Sequence, residues 1–200
     1  MSCYKRQKPR GKRVGQMANV KEARRRACID KTSAEVQGLE ARGVVFGGNA
    51  FSSILFAKGQ LTDGEKTGAE PYFSAEGQAL QASIKALGYA PEEWETLLTC
   101  DAAGTPLDAL LLREAVATLD PATLVCCDDV AAAAVREAFA DDLAILDSFE
   151  EAMLEPGVVA HVCGMRVLNL GGFAAALGDP KQKQLMWARL KQIPPLAEPY

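Results

Sequence analysis

The chain has 200 residues, of which 48% are hydrophobic, and its 22 Lys and Arg against 26 Asp and Glu give a net charge of −4. This composition fits one soluble globular domain, and no apolar run reaches the roughly 18 residues that a membrane span needs, so no membrane partner is expected. The cysteines show no Cys-x-x-Cys spacing, and no apolar stretch follows the basic N-terminus as in a secretory signal. We therefore expect a cytoplasmic protein with reduced thiols.

The first part of the chain is basic and the rest is acidic. Residues 1–42 carry 12 Lys and Arg against 4 Asp and Glu, and residues 43–200 carry 10 against 22. Residues 1–16 lack periodic apolar positions, which predicts a disordered basic tail, and residues 17–42 favour a helical extension with a break near Thr32. The tail fits either an arm that contacts nucleic acid or an unstructured end, with Met17 as an alternative start. Arg24, Arg25 and Arg26 are interpreted either as a solvated helix face or as nucleic-acid contacts.

Residues 43–74 predict a first strand and a long loop. The apolar residues 43–46 are interpreted as a short strand at the centre of the sheet, ending at Gly47 and Gly48. A Gly pair after a strand is typical of a phosphate-binding turn, but neither the Gly-x-Gly-x-x-Gly pattern nor a P-loop Lys-Ser/Thr follows. Residues 50–58 are interpreted as a short helix or a packed loop, and residues 59–74 as a loop that carries Tyr72 near its end.

The remaining residues alternate between helices and strands. Helices are predicted at 75–87, 107–119, 130–139 and 181–191, with Ser74, Asp128 and Asp179 as N-caps. Strands are predicted at 94–99, 123–127, 158–163 and 166–170, with a further short apolar piece at 144–146. This alternation predicts an α/β fold, a three-layer α/β/α sandwich with a central parallel sheet.

Few residues carry obvious chemistry. His161, the only histidine, lies in an apolar strand, which favours a structural role, and no third group is evident that would activate a pairing with Cys163. Cys126 and Cys127 are adjacent on a strand and point to opposite faces, so they cannot share a metal ion. No carboxylate pair has a spacing that argues for acid/base catalysis, and no metal site is predicted.

Four segments, taken in order, resemble the uracil-DNA glycosylase superfamily, nearest its bacterial and archaeal branch with an iron–sulfur cluster. Residues 65–80 (EKTGAEPYFSAEGQAL) are similar to the family's Thr-Gly-x-Pro-Phe-Val-Gly-x-Ala-Gly-x-Leu-Leu, with one extra residue before the Pro. Residues 94–100 fall where the family has its Tyr-Ile-Thr-Asn-x-x-Lys-Cys strand. Residues 119–125 (LDPATLV) resemble its x-Pro-x-x-Ile-Val strand, and residues 177–190 resemble the end of its His-Pro-x-x-Leu-Leu-x-x-Pro-x-x-Lys-x-x-x-Trp-x-x-Leu motif.

The resemblance implies a protein that flips a base out of DNA and cleaves its glycosidic bond, but the usual catalytic groups are missing. The family's first loop, Gly-Glu-x-Pro-Gly, falls on residues 47–51, so Gly48 stands where the water-activating acid belongs and Asn49 takes the next motif position. The stacking aromatic falls on Tyr72, the base-reading Asn on Thr96, and the His of the last motif on Gly172. Only Cys100 matches a cluster cysteine, so neither an iron–sulfur cluster nor another cofactor is expected.

The sequence thus predicts a superfamily-like domain at residues 43–195 that has lost its catalytic motifs and binds DNA or a nucleobase-like ligand, in an oligomeric state left open. The predicted ligand pocket contains Gly47, Asn49, Tyr72, Thr96, Asn169 and Phe173. The predicted nucleic-acid contacts are Arg24, Arg25, Arg26, Lys181 and Lys183, although the acidic body argues against a broad DNA-binding face. Two alternatives stay open: a divergent DNA glycosylase for uracil or another damaged base, in which Asn49 or Asn169 positions water, and a small-ligand-binding protein that uses the pocket around Tyr72 and Phe173.

Overall fold

The computed structural model describes residues 11–67, 72, 74–90 and 94–193, which are built around a six-stranded mixed sheet. The strands are β1 (Phe46–Gly48), β2 (Ile54–Lys58), β3 (Trp94–Leu98), β4 (Thr123–Cys126), β5 (Val159–Val162) and β6 (Met165–Asn169). Their spatial order is β1-β3-β2-β4-β6-β5. The four inner strands are parallel, whereas β1 and β5 run antiparallel to their neighbours at the two edges.

Side-chain caps set where several helices begin. Ser74, Asp128 and Asp179 each accept a hydrogen bond from a backbone N–H in the first turn of the helix that follows, as predicted, and Pro180 takes the first position after Asp179. The helices in the described residues are α1 (Gly11–Glu40), α2 (Asp63–Lys66), α3 (Ala75–Ala86), α4 (Ala109–Leu119), α5 (Asp129–Ala138), α6 (Ala140–Leu143), α7 (Phe149–Ala152), α8 (Phe173–Ala176) and α9 (Pro180–Leu190).

Helices pack on both faces of the sheet. One face packs against α1, α4 and α5, and the other packs against α3, α8 and α9. Along β2, Leu55 and Ala57 join the first core, and Ile54 and Phe56 join the second. The structure confirms the predicted α/β class with helices on both faces, but the sheet is parallel only in its four inner strands.

The structure places two elements differently from the prediction. The strand predicted at the centre of the sheet is the edge strand β1, and its two glycines belong to the strand itself rather than to a turn after it. The central strand is β2, which lies in the stretch interpreted as a helix or packed loop. All five residues of β2 are buried. A short apolar run covered on both faces has no alternation, so periodicity does not separate it from a helix.

The apolar piece at residues 144–146 does not form a strand. It lies between α6 and α7, and the Ile145 side chain is 80% exposed. Three apolar residues in a row are therefore not enough to indicate a buried strand here.

Helix α1 is longer and more regular than predicted. It begins at Gly11, within the stretch predicted to be disordered, and runs without a break at Thr32 to Glu40. Residues 1–10 of that predicted tail lie outside the described residues. No proline interrupts residues 11–40, and Ala, Arg, Lys and Glu are strong helix formers even without an apolar stripe. The helix is anchored near its end, where Val36 packs against the first core and Leu39 is 2% exposed.

Candidate functional site

The sheet changes its winding direction between β2 and β4. The chain passes from β2 to β3 through α3 on one face, and from β3 to β4 through α4 on the other face. Ligands of open α/β sheets usually bind at such a switch point, beyond the carboxyl ends of the strands. Here β2 ends at Lys58, and β4 is followed by Cys127 and Asp128. These ends form the candidate site.

Lys58 is a buried cation at the end of β2. Its side chain is 1% exposed, and its ammonium donates to both carboxylate oxygens of Glu65, at 3.0 and 2.9 Å. Oε2 of Glu76, in the first turn of α3, lies 3.4 Å from the same ammonium. Because both carboxylates are within reach, the buried charge is paired and hydrogen-bonded.

Glu65 fixes the loop that follows β2. It is the third residue of a capping box at α2, in which the Thr62 hydroxyl accepts from the Glu65 N–H and the Thr62 N–H donates to the Glu65 carboxylate at 2.7 Å. The same carboxylate accepts from the Tyr72 N–H at 2.9 Å. Burial raises the pKa of Glu65, but the hydrogen bonds from Thr62, Lys58 and Tyr72 outweigh it and hold the pKa below its usual value. Glu65 is thus an ionised and fully engaged carboxylate, unsuited to act as a base.

Tyr72 packs over this ion pair. Its ring centroid lies 5.4 Å from the Lys58 ammonium, and its hydroxyl donates to the Phe56 carbonyl at 3.2 Å. Its φ of 64° lies in the left-handed region, and α3 approaches it so closely that a Cβ on Gly77 would lie 1.8 Å from the Tyr72 carbonyl oxygen. Burial raises the pKa of Tyr72 well above its usual value, so the phenol stays protonated. The ring is part of the core rather than the wall of an open pocket.

Asp128 joins the loop after β2 to the start of α5. Its Oδ1 accepts from the Ala131 N–H at 2.8 Å, and its Oδ2 accepts from the N–H groups of Gly59 and Gln60 at 2.9 and 3.0 Å. The loop is therefore held by Asp128 at its beginning and by Glu65 further on. We call Lys58, Glu65, Tyr72, Glu76 and Asp128 the switch-point cluster.

The predicted pocket residues do not form one pocket. Tyr72 and Phe173 share the second core, and the Phe173 N–H donates to the Cys127 carbonyl at 2.8 Å, but each side chain is only 2% exposed. Asn169 points to the other face of the sheet by strand alternation. Its amide donates to the Leu154 carbonyl and accepts from the Gly171 N–H, both at 2.8 Å. Both the N–H and the oxygen of the Asn169 side chain are therefore hydrogen-bonded within the fold.

Gly47, Asn49 and Thr96 lie at the β1 edge of the sheet. The Thr96 hydroxyl donates to the Gly47 carbonyl at 2.8 Å, and Gly48 pairs with Glu95 near the amino end of β3. The side-chain oxygen of Asn49 accepts from the Phe51 N–H at 3.1 Å. Thr96 lies at the middle of β3, opposite Gly47, and Gly48 and Asn49 continue towards its amino end, whereas Phe173 follows the carboxyl end of β6.

Gly48 and Asn49, the positions matched to the first loop of the resemblance, lie at the edge strand β1, whereas the strand before them was predicted at the centre of the sheet. The central parallel strand β2 is followed instead by Gly59 and Gln60. Gly172, the remaining motif position, immediately precedes α8 with a φ of 90°.

The predicted nucleic-acid contacts lie on two helices. Arg26 on α1 has an exposed side chain, whereas the side chains of Arg24 and Arg25 lie outside the described ones. Lys181 and Lys183 are exposed at the start of α9. The end of α1 that carries Val36 and Leu39 and the helix α9 pack on opposite faces of the sheet.

Sequence reasoning missed the buried charges. The capping-box pattern Thr62-x-x-Glu65 and a lysine at the end of an apolar run were the available signals for the switch-point cluster. A further buried carboxyl, Glu95 on β3, is 3% exposed, and burial raises its pKa from 4.5 to about 7. Nothing in the spacing of Glu95 distinguishes it from a surface glutamate.

A cavity lies by the turn between β5 and β6, away from the switch-point cluster. It has a volume of about 440 Å³, and Arg113, Phe139 and Cys163 are among its lining residues. The Arg113 guanidinium is already paired with Asp142 at 2.5 Å, and hydrogen bonding to Asp142 raises the pKa of the Cys163 thiol. Nearby His161 is exposed, contrary to the structural role predicted for it. The thiol is not activated, so this cavity is not a nucleophilic site.

Among the described residues, no three His, Cys, Asp or Glu side chains are grouped so that they could hold a metal ion. None of the described helices combines the length and apolar character of a membrane-spanning segment. Models of known protein families give no match to the chain, and a search of curated proteins gives none either.

Proposed function

We propose that the chain is a non-catalytic nucleic-acid-binding module with an arrangement like that of the uracil-DNA glycosylase superfamily. The observation that carries the binding part is the contrast between a basic arm, with a net charge of +8 over residues 1–42, and a body with a net charge of −12 over residues 43–200. The described side chains of α1 between residues 22 and 31 are all exposed. Cations on an exposed helix contact phosphates without competition from buried partners.

The order of the resembling segments supports the superfamily-like arrangement. Residues 65–80 include the end of α2 and the start of α3, residues 94–100 contain β3, residues 119–125 lead into β4, and residues 177–190 lead into and form α9. This order of helices and strands, with inner strands that are parallel, is compatible with the proposed arrangement.

The state of the switch-point cluster supports the loss of catalysis. Gly59 and Gln60 directly follow the central strand β2 and bring no carboxylate to its end, and an amide does not accept a proton from water as a carboxylate does. The nearby Glu65 is held by Lys58, Thr62 and Tyr72. Losing one preorganised catalytic group typically costs roughly 10²–10³ in rate, so several losses together leave little activity.

The geometry gives no support to the divergent-glycosylase alternative. That alternative relies on Asn49 or Asn169 to position water. Asn49 follows the edge strand β1, and the Asn169 amide is bonded to Leu154 and Gly171 on the other face of the sheet.

Binding through the arm is tested by fluorescence anisotropy with an undamaged oligonucleotide at several salt concentrations. We expect the variant Arg24→Ala/Arg25→Ala/Arg26→Ala to bind more weakly and to lower the salt slope of log K by up to about 3, because each phosphate contact contributes about 0.9 on duplex DNA. The control Lys66→Ala/Arg136→Ala removes cations from the acidic body and should leave affinity and slope unchanged. Equal binding by the triple variant and the unmodified protein would refute the arm.

Loss of catalysis is tested by single-turnover base release from oligonucleotides that contain uracil, hypoxanthine or xanthine. We expect no product above background at enzyme excess. Release well above background would overturn the non-catalytic part of the proposal, and Gln60→Glu would then show whether the loop after β2 limits the rate.

A further inference from the structure

Helix α9 is the basic exception in an acidic body. Residues 180–191 contain four cations, Lys181, Lys183, Arg189 and Lys191, and no Asp or Glu, although residues 43–200 together carry a net charge of −12. Arg189 donates to the Leu170 carbonyl and is occupied within the fold. Lys181 and Lys183 are exposed, and neither forms a salt bridge among the described residues.

An apolar groove runs beside these lysines. A cavity of about 280 Å³ lies between α3 and the α8–α9 pair, with Phe173, Leu177, Met186 and Trp187 as apolar walls and Ser83 and Lys183 as polar ones. The Phe173 and Met186 side chains are buried, whereas Trp187 is half-buried. The groove therefore offers part of an indole ring at a surface where a cation is also present.

Trp187 stands between two lysines on one face of α9. Lys183 and Lys191 are four residues before and after it, which places the three side chains in one row. The Lys191 ammonium lies 5.7 Å from the Trp187 ring centroid, and Lys183 lines the groove together with the ring. An aromatic ring flanked by cations in an apolar groove is the arrangement by which proteins bind single-stranded nucleic acid, with a base on the ring and phosphates at the cations.

We infer that the groove beside α9 binds single-stranded nucleic acid, with one base stacked on Trp187 and the adjacent phosphates contacted by Lys183 and Lys181. The inference rests on the proposed nucleic-acid binding and adds a site that differs from the arm. It lies on the opposite face of the sheet from Val36 and Leu39, which anchor the end of α1, and it is outside the switch-point cluster. A duplex keeps its bases stacked inside, so the groove selects single strands.

The test uses the full-length chain and oligothymidylate. Trp94 is the only other tryptophan, so the variant Trp94→Phe isolates the fluorescence of Trp187. We expect oligothymidylate to quench this fluorescence, and we expect Trp187→Ala to lower affinity for oligothymidylate by at least about fivefold, since stacking contributes about 1–3 kcal/mol per base. Trp187→Phe keeps an aromatic face and should retain most of the affinity. Leu185→Ala is the control, because this side chain lies on the same helix, is 45% exposed and does not line the groove.

The outcomes separate this site from the arm. Full binding by Trp187→Ala, together with loss in the triple Arg variant, would overturn the groove and leave the proposed function standing. If Trp187→Ala lowers helix content, two other measurements decide: the quench of fluorescence in the Trp94→Phe protein and the affinity of Lys183→Gln for oligothymidylate. Absence of the quench together with unchanged affinity of Lys183→Gln would refute the site. Failure of the unmodified chain to bind any nucleic acid would overturn both proposals. Equal affinity for duplex and single strands in the triple Arg variant would refute the selectivity for single strands.

Discussion

At the scale of single residues, the pair Lys58–Glu65 determines the path of the loop after β2. Their side chains are 1% and 2% exposed. Removing two charges from water costs several kcal/mol for each ion, which only good geometry and further hydrogen bonds offset. The Glu65 carboxylate supplies those bonds by accepting from Thr62 and Tyr72 as well as from Lys58. The pair therefore specifies one loop conformation.

Breaking this pair should be strongly destabilising. We expect Lys58→Met to lower the free energy of unfolding by about 3–5 kcal/mol, because it leaves the Glu65 charge buried without its partner. Glu65→Gln should also destabilise, and the double variant should lose less than the sum of the two. Urea denaturation of all four proteins gives the coupling energy. Lys66→Met, whose side chain is 56% exposed in the same region, serves as the control and should change stability by less than about 0.5 kcal/mol. Additive losses would contradict the coupling.

Glu95 should make stability depend on pH. Its folded pKa of about 7 exceeds the usual 4.5, so the folded state favours the protonated carboxyl. The stability that this adds is fully present below the unfolded pKa and is lost as the pH rises towards about 7. We expect Glu95→Gln to remove this slope and to stabilise the protein by about 1–3 kcal/mol at pH 8, since each unit of pKa shift corresponds to about 1.36 kcal/mol. Denaturation at pH 5 and pH 8 measures it, and an unchanged slope in the variant would refute the assignment.

At the scale of elements, the close approach of α3 to Tyr72 sets the position of that helix. Gly77 lies in its first turn, and a Cβ there would meet backbone atoms of Tyr72 at 1.8–2.4 Å. Backbone cannot move aside as the end of a side chain can. The glycine is thus required for packing rather than for its own conformation.

Two glycine substitutions in helices should therefore have opposite effects. We expect Gly77→Ala to destabilise the protein by about 3 kcal/mol or more, because α3 must shift away from Tyr72. Gly38→Ala, in α1, has no atom within 4 Å of the added Cβ and should stabilise by about 0.5–1 kcal/mol. Thermal melts followed by circular dichroism compare the two. Equal effects would mean that the Gly77 contact is not structural.

Most elements could be predicted where local chemistry marks their ends. The caps Ser74, Asp128 and Asp179 mark helix starts, and the structure confirms all three. The centre of the sheet could not be predicted, because β2 is buried on both faces and has no periodicity. The regular helix over Thr32 was also missed, since the sequence there has few apolar residues to show a period.

At the scale of the whole molecule, α1 is joined to the body by few apolar side chains. Leu39 is 2% exposed, whereas Ile29, earlier in the same helix, is 38% exposed. The exposed ion pair between Arg42 and Glu114, at 2.7 Å, adds little because water screens it. The basic arm is therefore anchored by Leu39 and its neighbours rather than by charge.

Truncating Leu39 should lower the stability of the protein while leaving every basic residue in place. We expect Leu39→Ala to lower the free energy of unfolding by about 2–4 kcal/mol, through lost burial and the cavity left behind. Ile29→Ala should change it by less than about 0.5 kcal/mol. Urea denaturation measures both, and a small effect of Leu39→Ala would mean that α1 is not part of the cooperative unit.

The site was less predictable than the fold, because it depends on the order of the strands in the whole sheet. Tyr72 and Phe173 were assigned to one place and do share a core, whereas Gly47 and Asn49 were joined to them through a wrong strand order. Order in the sheet depends on contacts between distant segments, which no local pattern encodes. Lys58 was missed because a lysine inside a core is rare, and its partners are 7 and 18 residues further along the chain.

The two antiparallel outer strands also protect the sheet against edge-to-edge aggregation between copies of the chain. An edge strand with free N–H and carbonyl groups is a template for aggregation, and long parallel strands are the most exposed to it while folding. Here the edges of the described sheet are β1, with three residues, and β5, with four. Gly48 in β1 has a φ of 105°, outside extended geometry, so the strand cannot continue a flat ladder. Replacing these short edges with longer strands would make the sheet prone to edge-to-edge polymerisation.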